Sequence, residues 1–158
     1  MGAGKTTLAK KLASKLAYKW LDSDQEIEKQ QGMKVSEIFE VRGEAYFRSL
    51  EKKFVENLNT NENLIVATGG GLPCFNNLME TLNHLGTTIY LERTPKELFQ
   101  RVKQATNSRP LIANKSDEEL LEYIETTMEK RREIYLQSKF IVDRFSQTPE
   151  KIIALIQK

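Results

Sequence analysis

Cysteine and histidine are nearly absent from this sequence, which has one of each among its 158 residues. The single cysteine, Cys74, cannot form an internal disulfide, and one cysteine with one histidine gives no pattern for a metal cluster or a Cys/His nucleophile pair. Low cysteine usage is typical of proteins in a reducing compartment. We therefore expect a cytoplasmic protein without disulfides.

Long apolar runs and an excess of one charge are also missing. No run approaches the roughly 18 residues of a membrane span, and the first twenty residues have lysines at helical intervals instead of a signal-peptide core. The 24 Lys and Arg nearly balance the 22 Asp and Glu, so the net charge of +2 gives no reason to expect a nucleic acid or an anionic membrane as partner. The length suits one domain, 1-158, and we expect a soluble monomer.

The apolar residues that are present alternate between helical spacings and short runs. Leu8, Leu12 and Leu16 follow Lys5 at helical spacing, which predicts an amphipathic helix to about Lys19. Short apolar runs predict strands at Tyr18–Leu21, Leu64–Thr68, Thr87–Leu91 and Phe140–Val142. Strands that alternate with helices predict an α/β fold with a parallel sheet. The second and third runs alternate little, as expected of central strands covered on both faces.

Two longer stretches interrupt this alternation. The helical pattern from Asp24 to Leu58 is too long for a simple crossover, so a helical insertion with a substrate pocket is predicted at 25-60. The stretch 105-116 is polar, includes a proline and lies between two helical patterns. It is predicted to be a mobile lid loop.

The sequence opens on the second half of a phosphate-binding loop, the residues Gly2, Ala3, Gly4, Lys5, Thr6 and Thr7. Such glycines let backbone N–H groups surround a phosphate, the lysine bridges phosphate oxygens, and the first threonine offers its hydroxyl to Mg²⁺. The first glycine of the pattern and the strand that normally feeds it would precede Met1, so we expect a trimmed sequence. The alternative, a helix with a glycine-rich N-cap, is disfavoured because an amphipathic helix follows at once.

Two further motifs follow predicted strands, at the edge of a parallel sheet where ligands bind. Asp22 and Asp24 end the first run; one could hold a water of Mg²⁺ while the other accepts a hydrogen bond from the hydroxyl to be phosphorylated. The alternative is that Asp24 only caps the next helix. Close backbone approach to a ligand is indicated by the triplet after the second run, Gly69, Gly70 and Gly71, where a plain turn would need one glycine.

Arginines from three elements could converge on anionic groups, since the planar guanidinium donates two parallel hydrogen bonds to a carboxylate or phosphate. They are Arg48 in the insertion, Arg109 in the loop, and Arg131 or Arg132 in the late helix. For any one of them alone, a solvated helix face is the simpler interpretation.

In order and spacing, the segments GAGKTT, DSD, EAYFRSLE, VATGGGLP, SRPLI and KRREIY resemble the shikimate kinases from Gly2 to about Pro149. The resemblance implies a three-layer α/β/α P-loop kinase with a central parallel five-stranded sheet, whose first strand would precede Met1. It also implies ATP and Mg²⁺ as cofactors. The implied reaction transfers the ATP γ-phosphate to the 3-hydroxyl of shikimate, giving shikimate 3-phosphate and ADP on the route to aromatic amino acids.

The resemblance also implies a role for each matching residue. Asp22 and Thr6 would lie at Mg²⁺, and the catalytic groups would be Lys5, Asp24 and Arg109. Arg48 and Arg131 would bind the shikimate carboxylate, although the segment lacks the family's usual proline and leaves Arg132 as an alternative. The remaining substrate contacts would be Glu51, which is placed to hold Arg48, the backbone of Gly69, Gly70 and Gly71, and an apolar wall of Phe39 and Phe47.

Two rival functions remain open from the sequence. A gluconate kinase also joins a phosphate loop to a polyhydroxy acid, but the DSD and FR-plus-GGG segments argue against it. A nucleotide-binding module without catalysis is disfavoured because Lys5, Thr6, Asp22, Asp24 and Arg109 are all present.

Overall fold

The computed structural model describes residues 2–104 and 115–157. Its described helices and strands alternate along the chain, which confirms the predicted α/β fold. In order they are α1 Lys5–Leu16, β1 Lys19–Asp22, α2 Ser23–Gln31, α3 Val35–Glu56, β2 Leu64–Ala67, α4 Leu78–Leu85, β3 Ile89–Leu91, α5 Pro95–Gln104, α6 Asp117–Tyr135, β4 Phe140–Val142 and α7 Pro149–Ile156. Two short 3₁₀ turns, Leu72–Cys74 and Arg144–Ser146, complete the described elements.

The strands form two parallel pairs and not one sheet of five. β1 pairs with β2, and β3 pairs with β4. The described residues therefore show four strands in two pairs and not the five-stranded sheet that the resemblance implies, whose first strand would precede Met1. The Leu64–Thr68 and Thr87–Leu91 runs form β2 and β3, one strand in each pair. Each of these two runs has a partner strand on one edge only within the described residues, and both β2 and β3 line one cavity of about 600 Å³.

Three hydrophobic clusters hold the elements together. The largest joins α2, α3 and α4 through Ile27, Ile38, Phe54 and Leu78, which are at most 8% exposed. A second packs α5 on α6, and a third packs α1, β4 and α7. The elements α2 and α3, at the position of the predicted helical insertion, thus share one core with α4.

Helix α3 is kinked at Gly43, where φ is 80° and ψ is 168°. These angles lie outside the helical region and are reached almost only by glycine. The kink separates a first segment that carries Phe39 from a second that carries Arg48 and Glu51.

The strand register brings the predicted site residues to one edge. Asp22, the last residue of β1, lies beside Ala67, the last residue of β2. Parallel strands end at the same edge of a sheet, so the residues that follow Asp22 and those that follow Ala67 meet there. Among the described helices, none combines the length and apolarity needed to cross a membrane.

Candidate active site

The phosphate-binding segment forms the start of α1. Gly4 is the N-cap residue, with a left-handed φ of 90°, and Lys5 is the first helical residue. Since the first turn of a helix presents unpaired N–H groups and the positive end of its dipole, this position favours an anion. A Cβ built on Gly4 would lie 3.0 Å from Nη2 of Arg101 on α5, so that guanidinium lies against the loop. Sequence reasoning missed Arg101, one of several charges in a helical pattern with nothing to mark it.

Thr6 and Asp22 are brought together beside this loop. The Thr6 hydroxyl donates to Oδ2 of Asp22 at 2.6 Å. The other oxygen, Oδ1, accepts from the backbone N–H groups of Asp24 and Gln25 at 3.1 and 3.3 Å, which makes Asp22 the N-cap of α2. The alternative that Asp24 only caps this helix is therefore wrong, since Asp22 fills that position.

Asp24 points at the glycine triplet. A Cβ on Gly69 would lie 2.5 Å from Oδ1 of Asp24, so any other residue at this position would displace the carboxylate from where it lies. Burial raises the pKa of Asp24, and the nearby charge of Asp22 raises it further, against the lowering effect of Lys5. The position therefore holds a carboxylate that is a stronger base than an ordinary aspartate.

The glycine triplet is fixed from two sides by contacts that sequence reasoning missed. The fully buried Ser23 accepts a hydrogen bond at its Oγ from the Gly69 N–H, at 2.7 Å. The Tyr135 hydroxyl on α6 donates to the Gly70 carbonyl at 2.5 Å. Ser23 lies inside the DSD segment and Tyr135 four residues after Arg131, so proximity to predicted site residues was the only available signal.

Arg48 lies between two carboxylates of its own helix. Its Nη1 donates to Glu51 at 2.7 Å, while Nε and Nη2 donate to one oxygen of Glu44 at 3.1 and 2.8 Å. Burial alone lowers the pKa of Arg48, but the hydrogen bonds to Glu51 and Glu44 outweigh it and raise this pKa. Burial raises the pKa of Glu51, which is 1% exposed, against the opposing effect of Arg48. The i,i+3 contact between Arg48 and Glu51 is as predicted.

The guanidinium of Arg48 also meets the glycine triplet and a set of aromatic rings. A Cβ on Gly71 would lie 2.5 Å from Nη1, so any other residue here would displace the guanidinium. The rings of Phe39 and Phe47 lie 4.8 Å apart, and the Arg48 Cζ lies 5.7 and 5.5 Å from their centroids. The ring of Phe75 is nearer, at 3.9 Å. Sequence reasoning named the first two rings and missed Phe75.

The structure distinguishes Arg131 from Arg132. Arg131 is half-buried and interacts electrostatically with Glu51 and with Cys74, both at the site, whereas Arg132 is exposed and its charge acts on Tyr90. Burial raises the pKa of Tyr135, and Arg131 opposes this through its charge and a hydrogen bond. These contacts favour Arg131 over Arg132 as the second arginine of the candidate site. Arg109 and most of the predicted lid, 105-116, lie outside the described residues.

A magnesium ion suits the oxygen atoms beside the phosphate loop. Mg²⁺ prefers hard oxygen ligands and takes only one or two from the protein when phosphates and waters supply the rest. The Thr6 hydroxyl and the Asp22 carboxylate are such a pair, 2.6 Å apart. Among the described residues, there is no group of three or more His, Cys, Asp or Glu side chains that could hold a metal ion by itself. A magnesium site completed by nucleotide phosphates and waters does not need such a group.

A phosphate loop that opens a helix, with two carboxylates at and just after the end of the next parallel strand, is typical of a P-loop kinase of small molecules. The family model for shikimate kinase matches residues 1–158. A shikimate kinase of Bacteroides fragilis is 45% identical over 141 residues, which cover 89% of this chain and 79% of that protein. The chain therefore belongs to the shikimate kinase family.

Solved structures agree with this assignment. A crystal structure of shikimate kinase from Bacteroides thetaiotaomicron matches with a TM-score of 0.94 and 37% identity, covering 100% of this chain and 94% of that one. A shikimate kinase from Acinetobacter baumannii in complex with shikimate matches with a TM-score of 0.85 and 32% identity, covering 99% of this chain and 88% of that one. A gluconokinase from Sinorhizobium meliloti matches with a TM-score of 0.56 and 14% identity, covering 98% of this chain and 85% of that one. At this identity the match shows a similarity of fold alone.

Proposed function

We propose that this site transfers the γ-phosphate of ATP to the 3-hydroxyl of shikimate and yields shikimate 3-phosphate and ADP. Membership of the family makes the chain an ATP-dependent kinase that acts on shikimate. The observation that carries the proposal for this site is the convergence of Asp24 and Arg48 on Gly69 and Gly71, two residues apart on one backbone. A base and a carboxylate receptor are thus held at a fixed separation, as a hydroxy acid requires.

Asp24 is the group we assign to the reacting hydroxyl. As the hydroxyl oxygen forms its bond to the γ-phosphorus, the bond from that phosphorus to the β-bridging oxygen breaks and ADP leaves. The hydroxyl proton passes to a carboxylate oxygen of Asp24, whose raised pKa suits a proton acceptor. Phosphoryl transfer depends mainly on positioning and charge, so holding this hydroxyl in line is as important as removing its proton.

The phosphate loop binds the nucleotide in this proposal. Backbone N–H groups of residues 2–7 surround the phosphates, Lys5 bridges their oxygens, and Arg101 adds positive charge where it lies against Gly4. Thr6 and Asp22 would hold Mg²⁺, which when bound supplies positive charge between the phosphate groups. Arg109, carried by the lid at 105-116, would contact the phosphates and help to exclude water.

The far end of the pocket recognises the carboxylate. Arg48 has five N–H groups, of which Glu44 and Glu51 accept three. One N–H remains on each of Nη1 and Nη2 among the described contacts, and this pair can bind a carboxylate. Arg131 adds a second positive charge, while Phe39 and Phe47 form the apolar wall for the ring. Glu51 acts through Arg48, whose orientation it fixes.

Acceptor dependence tests the proposed function directly. ADP release from Mg-ATP by the full chain is compared with shikimate, with gluconate and without an acceptor. We expect release that depends on shikimate, because only this acceptor places its carboxylate at Arg48 and its hydroxyl at Asp24 together. Release with gluconate alone would overturn the proposal in favour of a gluconate kinase. A folded protein that binds ATP but releases no ADP with any acceptor would be a nucleotide-binding module.

The pH dependence of kcat/KM for shikimate follows from the raised pKa of Asp24. Asp24 must be ionised to accept a proton, so activity falls as the pH drops through this pKa. Because burial and Asp22 raise it, we expect the acid limb at a higher pH than the value of about 3.9 for an ordinary aspartate. The profile is measured at saturating Mg-ATP, with enzyme returned from each pH to neutral buffer to exclude unfolding. An acid limb at or below the ordinary value would remove Asp24 as the base.

We further propose that the chain works in the cytoplasm as a monomer. A single cysteine suits a reducing compartment. The proposed site is built from residues of one chain, so catalysis needs no second copy.

A further inference from the structure

Phe75 is an exposed aromatic residue with an unusual contact. It directly follows the 3₁₀ turn Leu72–Cys74 and is 37% exposed. The Cζ atom of Arg48 lies 3.9 Å from its ring centroid, which is the distance of direct stacking on the ring face. The exposed ring thus has a charged partner, the guanidinium of Arg48.

The backbone after Phe75 forms a tight turn that leads into α4. Asn76 and Asn77 both adopt left-handed conformations, with φ of 53° and 57°. Two consecutive residues other than glycine in this region are uncommon, although asparagine tolerates it best. The amide of Asn76 donates a long hydrogen bond, 3.5 Å, to the carbonyl of Arg48 itself. Consecutive residues of this turn therefore contact both ends of Arg48, the guanidinium and the backbone.

These contacts restrict the orientation of the Arg48 guanidinium. Glu44 and Glu51 accept its N–H groups in the guanidinium plane, while the Phe75 ring covers a face of that plane. The Arg48 side chain is 12% exposed as a result. A guanidinium with one face covered is less free to tilt out of its plane and is less hydrated on that face, so its remaining N–H groups keep a fixed orientation.

We propose that Phe75 is a positioning residue that determines affinity for the acceptor's carboxylate by fixing the plane of the Arg48 guanidinium. This inference rests on the proposed function and assigns to that site a residue outside its reacting groups. The carboxylate end of the acceptor is remote from the hydroxyl that reacts. Its binding is therefore equally strong in the ground state and the transition state, and weakening it raises KM while kcat is retained.

The test compares Phe75→Leu with Phe75→Tyr. Leucine keeps an apolar side chain but loses the ring face, so we expect the KM for shikimate to rise roughly threefold to thirtyfold, the range of a cation–π contact. The kcat and the KM for ATP should change by less than about twofold. Tyrosine keeps the ring, with room for its hydroxyl at the exposed edge, and should restore the wild-type KM.

Two further variants make the test specific. In an Arg48→Lys background, which lacks the planar guanidinium, Phe75→Leu should have no additional effect on KM. Tyr46→Leu is the matched control. Tyr46 is 38% exposed, much like Phe75, and its ring also lies beside an arginine, with its centroid 5.9 Å from the guanidinium carbon of Arg42. It should leave the KM for shikimate unchanged.

Each contrary result has a distinct meaning. An unchanged KM in Phe75→Leu, an equal rise in Phe75→Tyr, or a rise of the same size in Tyr46→Leu would overturn the role of Phe75 while leaving the proposed function in place. A wild-type protein that shows no shikimate-dependent ADP release would instead overturn the proposed function, and this inference with it.

Discussion

Replacing Asp24 with asparagine is expected to lower kcat by about 100- to 10,000-fold, the usual contribution of a positioned general base. Asparagine has nearly the same shape, so it fits beside Gly69, where even a Cβ would lie 2.5 Å from the Asp24 oxygen. It cannot accept the hydroxyl proton, and its amide nitrogen cannot accept a hydrogen bond from that hydroxyl. Nucleotide affinity should remain, because the phosphate loop lies on a different element.

The measurement is kcat with saturating shikimate and Mg-ATP, together with a titration of ATP binding. Glu26→Gln is a suitable control, since it makes the same carboxylate-to-amide change two residues further along α2, on a different side of the helix. If Asp24→Asn kept most of the wild-type kcat, Asp24 would be neither the base nor the orienting group.

Replacing Arg48 with alanine should raise the KM for shikimate by at least roughly 30-fold, the equivalent of the 2 kcal/mol or more lost when a buried charged partner is removed. ATP affinity should change by less than about threefold, because Arg48 lies at the end of the pocket away from the phosphate loop in the proposed arrangement. The change also leaves Glu51, which is 1% exposed, without its partner, and an unpaired buried charge costs about 3–5 kcal/mol of stability.

Two companion variants separate lost recognition from lost stability. Arg48→Lys keeps a positive charge beside Glu51 but lacks the planar pair of N–H groups, so we expect a folded protein with a raised KM for shikimate. Arg42→Ala removes an exposed arginine from the same helix and should change neither KM. Equal losses of shikimate and ATP affinity in Arg48→Lys would exclude Arg48 as the carboxylate receptor.

The elements of the fold could be predicted from local patterns, but their assembly could not. All four apolar runs became strands, with bounds shifted by at most two residues, because period and β-propensity act locally. Sheet pairing depends on which edges meet in space. The runs at Leu64 and Ile89 have the continuous apolar composition of central strands, yet each pairs on one edge only among the described strands, and a cavity separates them.

The residues of the candidate site also fall into two groups, those that a local motif marks and those that only the folded structure reveals. Gly4, Asp24 and Arg48 belong to short motifs whose spacing carries information, and the structure places Asp24 and Arg48 against the glycine triplet. Arg101 and Phe75 reach the site through tertiary packing, so no local pattern marks them. The cap of α2 illustrates the limit, since either aspartate of DSD satisfies the capping rule and only the structure assigns the cap to Asp22.

The kink of α3 has a consequence for attempts to engineer this protein. A glycine inside a helix is an obvious target for replacement by alanine, which in a regular helix gains about 1 kcal/mol. At Gly43, however, the backbone adopts φ 80° and ψ 168°, which alanine reaches only with strain. Alanine would favour one continuous helix from Val35 to Glu56 and would rotate the turn that carries Phe39 relative to the turn that carries Arg48. A stabilising design rule applied here would change the shape of the acceptor pocket.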